Sequence, residues 1–340
     1  MERSPLGVAV VGAGYWGPNL VRNFHASEEW SVRCIVERDD ARRKRLARLY
    51  PSVAAHAEID AALADPSVDA IALATPPRTH HELAVRVMDA GKHVLVEKPL
   101  CERSADAADL CARARRAGTV LMTDHTFLYT GSVEKLRALR EGGELGKLYY
   151  IDSVRVNLGL FQESNVVWDL APHDVSIINY VLGELPSAVA LQLGACVHAK
   201  TPDVAFLTMW YPGGCIAHVH LSWLSPVKVR RTMISGSLKM AVWDDVEPTE
   251  KIYIYDKGVV LDPSSTSLQQ QMVSYRLGDL HVPLIDNSEA LGKLVNDFAV
   301  AIRTGVATRS DGAFGTGVVT VIEAALRSAE LDGAKVPVTE

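Results

Sequence analysis

The chain has 340 residues, of which 48% are hydrophobic and 22% charged, and its formal net charge at pH 7 is -6. This length allows two compact domains, each with its own core. The modest charge argues against nucleic acid as a partner, and no apolar run is long enough to span a bilayer. The sequence enters its first apolar strand too early for a signal peptide, so we expect a cytoplasmic protein without a membrane partner.

Short apolar runs alternate with amphipathic stretches from residue 6 to about residue 123. The runs predict strands at VAVVGAG, SVRCIVE, DAIALATP, KHVLVEKP and TVLMTD. The stretches between them predict helices over residues 19–25, 41–50, 81–90 and 104–117. Strands that are apolar throughout are buried on both faces, as in a parallel sheet. We therefore predict an α/β domain with a doubly wound parallel sheet over residues 1–124.

The pattern changes after about residue 126. Alternating segments such as LYYIDSVRVNL, SAVALQLGACVH, DVAFLTMWYP, GCIAHVHLSWL and VKVRRTMISG predict antiparallel strands with one covered face. Helices are predicted over residues 131–140, 168–182, 289–304 and 315–329, and a loop or arm over residues 262–288. Residues 125–340 thus form a predicted α+β domain with an open, mostly antiparallel sheet. Such a sheet predicts a homodimer or homotetramer.

The glycine-rich segment GAGYWG follows the strand VAVV and precedes a predicted helix. Gly12, Gly14 and Gly17 form the GxGxxG pattern of dinucleotide-binding Rossmann domains, and its position between strand and helix sets it apart from an ordinary glycine turn. The second glycine lets the backbone approach a pyrophosphate, which lies at the helix N-terminus. We predict a dinucleotide site here, with Tyr15 and Trp16 beside the cofactor.

An acidic residue, Glu37, ends the second strand twenty residues beyond Gly17. Its carboxylate would accept hydrogen bonds from the adenosine ribose and would repel the 2′-phosphate of NADP, which favours NAD. Arg38, with Arg42 and Arg43, could instead bind that phosphate, so NADP stays an alternative. The loop at the carboxyl end of a later strand adds predicted cofactor neighbours: Thr75, Pro76 and His80.

Two further segments carry groups suited to alcohol chemistry. Glu97 and Lys98 end a strand beside the expected nicotinamide, where a lysine can hydrogen-bond a substrate hydroxyl. Asp169 and His173 are four residues apart and would share one helix face. Histidine can take the alcohol proton while a carboxylate orients its ring, although such a pair also occurs as a helix cap or packing contact. Pro172 is tolerated if the helix starts near Trp168.

These segments, GAGYWG, AGKHVLVEKPL and the helix with Asp169 and His173, resemble the Gfo/Idh/MocA oxidoreductases in order and approximate spacing. The resemblance covers nearly the whole chain. It implies a nicotinamide cofactor on the Rossmann domain, with Glu97 and Lys98 beside it, and hydride transfer at a sugar-like alcohol. Lys98 would position the hydroxyl, and His173 would accept or donate its proton with help from Asp169. Trp168 replaces a small residue of the family, so we expect a pocket of altered shape.

The segments GYWGPNLVRN, HTFLYTGSV, WDLAPHD and SWLSPVKVRR resemble family members that act on nucleotide-linked sugars. That resemblance implies oxidation at C3 of a UDP-linked amino sugar, or the reverse reduction. Lys228 and Arg230, on one strand face, could bind its pyrophosphate, and Arg231 lies on the other face. The alternative is that these cations line a subunit interface or a solvated sheet face.

The substrate, the catalytic competence of the chain and a metal site have alternative interpretations. A free polyol such as inositol is an alternative substrate, and a catalytically silent NAD-binding sensor is an alternative function. His218 and His220 share a strand face and could suggest a metal. Since no carboxylate or cysteine stands at ligand spacing, we expect a polar sheet face and no metal.

Overall fold

The computed structural model of the protein describes residues 4–159, 165–197, 199–261 and 273–339. These residues form two compact units. Unit 1 contains the described residues of 1–129 together with 288–320, and unit 2 contains those of 130–287 together with 321–339.

Unit 1 is built on a parallel sheet. Its described strands are β1 (Leu6–Val11), β2 (Trp30–Val36), β3 (Ala54–His56), β4 (Ala70–Leu73), β5 (His93–Glu97) and β6 (Leu121–Asp124). They are ordered β3-β2-β1-β4-β5-β6, and all neighbours pair in parallel. The chain moves outward from β1 in one direction and then from β4 in the other, so the strand order reverses between these two strands. This is the topology of a doubly wound Rossmann sheet, and the predicted fold is confirmed.

Helices connect these strands. They are α1 (Gly17–Ala26), α2 (Asp40–Leu49), α3 (Asp60–Ala64), α4 (His80–Asp89) and α5 (Ser104–Ala117). Gly118 ends α5 in the left-handed conformation, with φ of 66°. Neither β3 nor α3 was predicted, because three and five residues are too few to show a period.

Unit 2 contains a mixed sheet. Its described strands are β7 (Leu148–Leu158), β8 (Ala188–Gly194), β9 (Val204–Trp210), β10 (Ile216–Ser222), β11 (Leu224–Gly236), β12 (Met240–Asp244), β13 (Ile252–Tyr255), β14 (Gly258–Leu261), β15 (Val273–Arg276), β16 (Leu280–His281) and β17 (Val336–Pro337). Nine of them form the order β16-β13-β12-β11-β7-β10-β9-β8-β17, and β14 pairs with β15. The sheet is mostly antiparallel, as predicted.

Two details of unit 2 correct the sequence analysis. We expected β7 and β10 to belong to an antiparallel sheet, but they pair with each other in parallel. The connection between them contains a helix and two strands, and this length permits a parallel crossover. The loop expected over residues 262–288 is wrong where β15 and β16 form; residues 262–272 of that prediction lie outside the described residues.

Four more α-helices lie among the described residues. They are α6 (Gly131–Glu141), α7 (Val166–Leu182), α8 (Ala290–Thr304) and α9 (Gly312–Glu330). In unit 2, α7 contacts β7, β9 and β10, so it covers one face of the sheet. The other face exposes Tyr150, Phe206 and Ile216. Within the described part of the chain, no helix is both long and apolar enough to cross a membrane.

Candidate active site

The glycine-rich loop in unit 1 has the shape that a dinucleotide requires. Gly12 has φ of 95°, and a Cβ there would lie 2.5 Å from the carbonyl oxygen of Ala74. A Cβ on Gly17 would lie 1.9 Å from the carbonyl oxygen of Gly12. A Cβ on Gly14 would meet no atom within 4 Å. Two glycines are therefore needed for close packing, and the third faces open space in which a phosphate could approach the backbone.

The first turn of α1 is suited to an anion. Its N-cap residue, Trp16, makes no side-chain capping bond, and the turn contains no acidic residue. Pro18 has no N–H, and Asn19 N–H donates to the carbonyl oxygen of Trp16 at 2.9 Å, so negative charge is favoured here mainly by the helix dipole. The residues present therefore fit the pyrophosphate of a nicotinamide dinucleotide. Tyr15 is 89% exposed beside this turn.

Glu37 is fixed at the end of β2 by two backbone donors. Ala13 N–H donates to its Oε2 at 2.6 Å, and Asp39 N–H donates to its Oε1 at 2.8 Å. These bonds hold an acceptor carboxylate beside the glycine-rich loop. Arg38 is 79% exposed and lies 3.3 Å from Glu58, while Arg43 donates to the backbone oxygens of Glu37 and Arg38. Both arginines thus have acidic or carbonyl partners within unit 1.

The predicted neighbours Thr75, Pro76 and His80 lie in the segment that follows β4. His80 is buried, with Nδ1 2.9 Å from the carbonyl oxygen of Pro99 and Nε2 2.8 Å from that of Thr75. Burial lowers the pKa of His80 and favours the neutral ring. His80 therefore joins the loop after β4 to the loop after β5. Direct contact of these residues with a cofactor stays a prediction.

The end of β5 carries Glu97 and Lys98 next to the end of β6. Glu97 is in register with Asp124, and their carboxyl groups form a hydrogen bond. Burial raises the pKa of Glu97 well above its usual range, and the neighbouring charge of Asp124 raises it further. Burial also raises the pKa of Asp124. Two buried carboxyl groups in contact favour sharing one proton.

Asp124 and His125 were not among the predicted site residues. His125 is 1% exposed, and burial together with the charge of Lys98 lowers its pKa to about 3. Both residues stand in MTDHTFLY, directly at the carboxyl end of β6. Polar residues at the end of an apolar strand were the available signal, since ligands of open α/β sheets bind at that edge.

The helix of unit 2 that carries Asp169 and His173 begins earlier than predicted. Asn165 is its N-cap, and its Oδ1 accepts from Val167 N–H at 3.0 Å and from Trp168 N–H at 3.1 Å. Because α7 starts at Val166, Pro172 lies in its second turn. The expectation that Pro172 lies in the first turn is therefore wrong. At this position proline removes an internal helix bond.

Asp169 and His173 lie one turn apart on α7, and both are partly exposed. Asp169 Oδ2 accepts a hydrogen bond of 2.9 Å from the indole N–H of Trp223, which is buried. This bond fixes the carboxylate on the face that His173 shares. Trp168, the predicted substrate neighbour, is also partly exposed. The arrangement supplies one acceptor group and one imidazole side by side.

The next residue, Asp174, points into the core of unit 2. Its Oδ2 accepts from Arg155 Nε at 2.5 Å and its Oδ1 from Ser153 Oγ at 2.8 Å. Ser153 Oγ also lies 3.0 Å from Thr232 Oγ1. These buried bonds join α7 to β7 and β11 at the residue that follows His173. Asp174 was not among the predicted site residues, although it adjoins the predicted base.

The basic cluster lies on β11. Lys228 is exposed, and Arg230 Nη1 lies 3.3 Å from Asp245 Oδ2. Arg231 is exposed on the opposite face. In the same sheet His218 Nδ1 lies 3.1 Å from Asp152 Oδ1, and its ring stacks on Phe206. His220 stacks on the same phenyl ring, with a centroid distance of 4.6 Å.

Comparison with known proteins gives two family matches. A model described as "Oxidoreductase family, NAD-binding Rossmann fold" matches residues 6–125, and one described as "GFO/IDH/MocA C-terminal domain" matches residues 133–242. Inositol 2-dehydrogenase of Mycolicibacterium gilvum (strain PYR-GCK) is 32% identical over 192 residues, or 55% of each chain. A dTDP-3,4-didehydro-2,6-dideoxy-alpha-D-glucose 3-reductase of Saccharopolyspora spinosa is 31% identical over 147 residues, or 43% of this chain and 44% of that one.

The chain thus spans about half the length of these curated relatives. A solved structure of UDP-N-acetylglucosamine 3-dehydrogenase from Acidithiobacillus ferrooxidans has a TM-score of 0.80 and 24% identity, and the similarity covers 96% of this chain and 98% of that one. That likeness shows a common fold. The two family models together match more than half of the chain. The protein belongs to the Gfo/Idh/MocA family, whose N-terminal part is an NAD-binding Rossmann fold.

Proposed function

We propose that the protein is an NAD-dependent oxidoreductase that transfers a hydride between the cofactor and a ring hydroxyl or ketone of a sugar. The observation that carries this proposal is the loop around Gly14. It combines open space, an uncapped helix N-terminus and the fixed carboxylate of Glu37. These groups match the pyrophosphate and ribose of NAD. The carboxylate favours NAD over NADP, because a 2′-phosphate would lie against its negative charge.

Bound NAD would accept a hydride from a carbinol carbon, and a side chain of the protein must accept the proton of the hydroxyl group. Lys98, at the end of β5, is the proposed donor to the reacting oxygen. His173 is the proposed proton acceptor, and Asp169 is held beside it by Trp223. In the reductive direction the same imidazole returns the proton. The roles of Lys98, Asp169 and His173 are those that the family resemblance implies.

The proposed substrate is a nucleotide-linked amino sugar, with C3 of a UDP-hexosamine as the reacting centre. The exposed ammonium group of Lys228 is the cation on β11 best placed to meet a phosphate, since Arg230 already lies beside Asp245. The relative from Saccharopolyspora spinosa is named as a nucleotide-sugar 3-reductase. Free polyols are the second candidate, favoured by the 32% identity to an inositol 2-dehydrogenase.

Nicotinamide absorbance tests the proposal directly. The purified protein is mixed with UDP-N-acetylglucosamine, its uronate, dTDP-keto sugars or myo-inositol, each with NAD or NADP. Turnover of a UDP-hexosamine with NAD supports the leading assignment, and turnover of inositol alone moves the function to polyol oxidation. K98A and H173A proteins are assayed in parallel. A loss of about a hundredfold or more is expected for a proton-transfer group. Equal, trace turnover in all three proteins would instead favour an NAD-binding sensor.

We further propose that the chain forms a homodimer or homotetramer through the uncovered sheet face of unit 2. That face exposes Tyr150, Phe206 and Ile216, and large apolar side chains on an open sheet favour self-association. Size-exclusion chromatography with light scattering measures the mass in solution. A monomer at assay concentration would contradict this proposal.

A further inference from the structure

A hydrogen bond in unit 1 joins the glycine-rich loop to a distant strand. The indole Nε1–H of Trp16 donates to Asp124 Oδ2 at 2.6 Å. Trp16 precedes α1 at the end of β1, and Asp124 ends β6. In the sheet, β4 and β5 lie between these two strands. The bond therefore crosses the carboxyl ends of two intervening strands, at the edge where open α/β sheets bind ligands.

Asp124 is held in place by further donors. Thr126 Oγ1 donates to its Oδ1, and Glu97 shares a hydrogen bond with it from the end of β5. The charged group that acts on both carboxyl groups is Lys98, which follows Glu97, and the ring of the adjacent His125 is buried and neutral. One proton on Glu97 leaves a single carboxylate charge on Asp124. That charge strengthens the bond from Trp16, because bonds to ionised acceptors are stronger than neutral ones.

We propose that Asp124 is a positioning residue for cofactor binding, which holds the glycine-rich loop through Trp16 and is itself held by a proton shared with Glu97. This inference rests on the proposed NAD-dependent function. Gly14 has open space around it, and glycine-rich backbone has many alternative conformations. A loop already fixed at one end loses less conformational entropy when the pyrophosphate binds. Asp124 thus acts through Trp16, and it need not touch the cofactor.

The first test is W16F, which keeps an aromatic ring and removes the donor. We expect the Kd for NADH, measured by fluorescence titration, to rise about tenfold, the scale of one charge-assisted hydrogen bond. The matched control is W30F. Trp30 also donates its indole N–H inside unit 1, to the carbonyl oxygen of Val295 at 2.7 Å. That variant should lower the melting temperature and leave the Kd for NADH unchanged.

The possible outcomes distinguish a failure of the proposed function from a failure of the positioning role. If the wild-type protein does not bind NADH, the proposed function fails. If the wild type binds and W16F binds equally well, or if W30F weakens binding as much as W16F, only the positioning role fails. A selective loss in W16F that D124N shares supports it, and a D124N protein that binds NADH as the wild type does would leave only a direct contact of Trp16 with the cofactor.

The second test addresses the shared proton. Since the pKa of Glu97 is raised, the pair loses its proton at a higher pH than an ordinary carboxyl group does. Two carboxylates would then repel, and the Kd of the wild type for NADH should increase as the pH rises through that raised value. E97Q keeps an N–H donor toward Asp124 at every pH, so its Kd should not show this increase. The same increase in both proteins would overturn the shared-proton part of the proposal.

Discussion

The bond between Arg155 and Asp174 gives the sharpest stability prediction. Their side chains are 4% and 3% exposed, and Nε lies 2.5 Å from Oδ2. The substitution D174N keeps the volume of the side chain but takes away the carboxylate to which Arg155 donates. An amide in the same place presents either one oxygen or an N–H group that opposes the guanidinium. We therefore expect unit 2 to lose stability.

The magnitude follows from burial. Removing one member of a buried ion pair costs about 3–5 kcal/mol, since the remaining charge stays in a medium of low polarity. Ser153 can still donate to the new amide oxygen, so we expect a loss near the lower end, about 3 kcal/mol. An exposed pair of the same type sets the comparison. Arg137 Nε lies 2.7 Å from Glu141 Oε1, with exposures of 35% and 49%.

Urea unfolding followed by circular dichroism measures the free energy of unfolding. The control variant, E141Q, should change it by about 0.5 kcal/mol or less, as exposed pairs do. Turnover should fall in D174N, because Asp174 fixes the part of α7 that carries His173. A double variant, R155M with D174L, replaces both charges by apolar groups and should be more stable than D174N.

Two results would refute this reasoning. The first is a D174N protein whose unfolding free energy lies within the range of E141Q. It would mean that burial does not amplify the bond. The second is a double variant no more stable than D174N. In that case the loss would come from packing around Asp174 and not from the charge left beside Arg155.

Three further predictions concern single side chains. E37A removes the carboxylate that we propose binds the ribose, and we expect the ratio of kcat/KM for NADP to that for NAD to rise about tenfold, the scale of one charge-assisted contact. An unchanged ratio in steady-state assays would place the ribose elsewhere. In the folded protein the pKa of His125 is about 3, against 6.5 for an ordinary histidine such as that of the unfolded chain. Acid therefore protonates this histidine in the unfolded chain first, and the free energy of unfolding falls as the pH drops from 6.5 toward 3. At pH 5 the loss of unfolding free energy is about 2 kcal/mol. H125L should reduce this acid sensitivity in unfolding curves. An H125L protein whose unfolding free energy depends on pH as steeply as that of the wild type would argue against this role of His125. N165A removes the cap of α7 and should lower the free energy of unfolding by about 1 kcal/mol in the same urea assay. An unchanged free energy of unfolding would mean that another group caps the helix.

The elements that were predictable from sequence are those whose signals are local. Helix α5 has its predicted bounds, because an amphipathic stretch ends at a glycine that takes the left-handed conformation. The loop from Gly12 to Gly17 was predictable for the same reason, since strand, glycines and helix follow one another directly. Strand pairing is different. The parallel contact between β7 and β10 depends on which segments meet in space, and alternation of side chains carries no such information.

The start of α7 was missed although its signal was present. Asn165 directly precedes an apolar run, and asparagine is a strong N-cap residue. The helix was predicted to start near Trp168, a start at which Pro172 is tolerated. The structure keeps Pro172 in the second turn, so capping by Asn165 and the bonds of Asp174 outweigh the missing backbone bond.

The candidate site shows the same division between local and long-range information. Lys98, Asp169 and His173 can be proposed from sequence because each stands in a segment with its own pattern. Asp124 ends an apolar strand, and that signal marks the ligand-binding edge of the sheet but not its partner Trp16, which lies 108 positions away. Trp16 was predicted as a cofactor neighbour, and the structure adds that its N–H donates to Asp124. A side chain that acts through another side chain can be found only where both are placed, and for that reason the proposed positioning role of Asp124 required the structure.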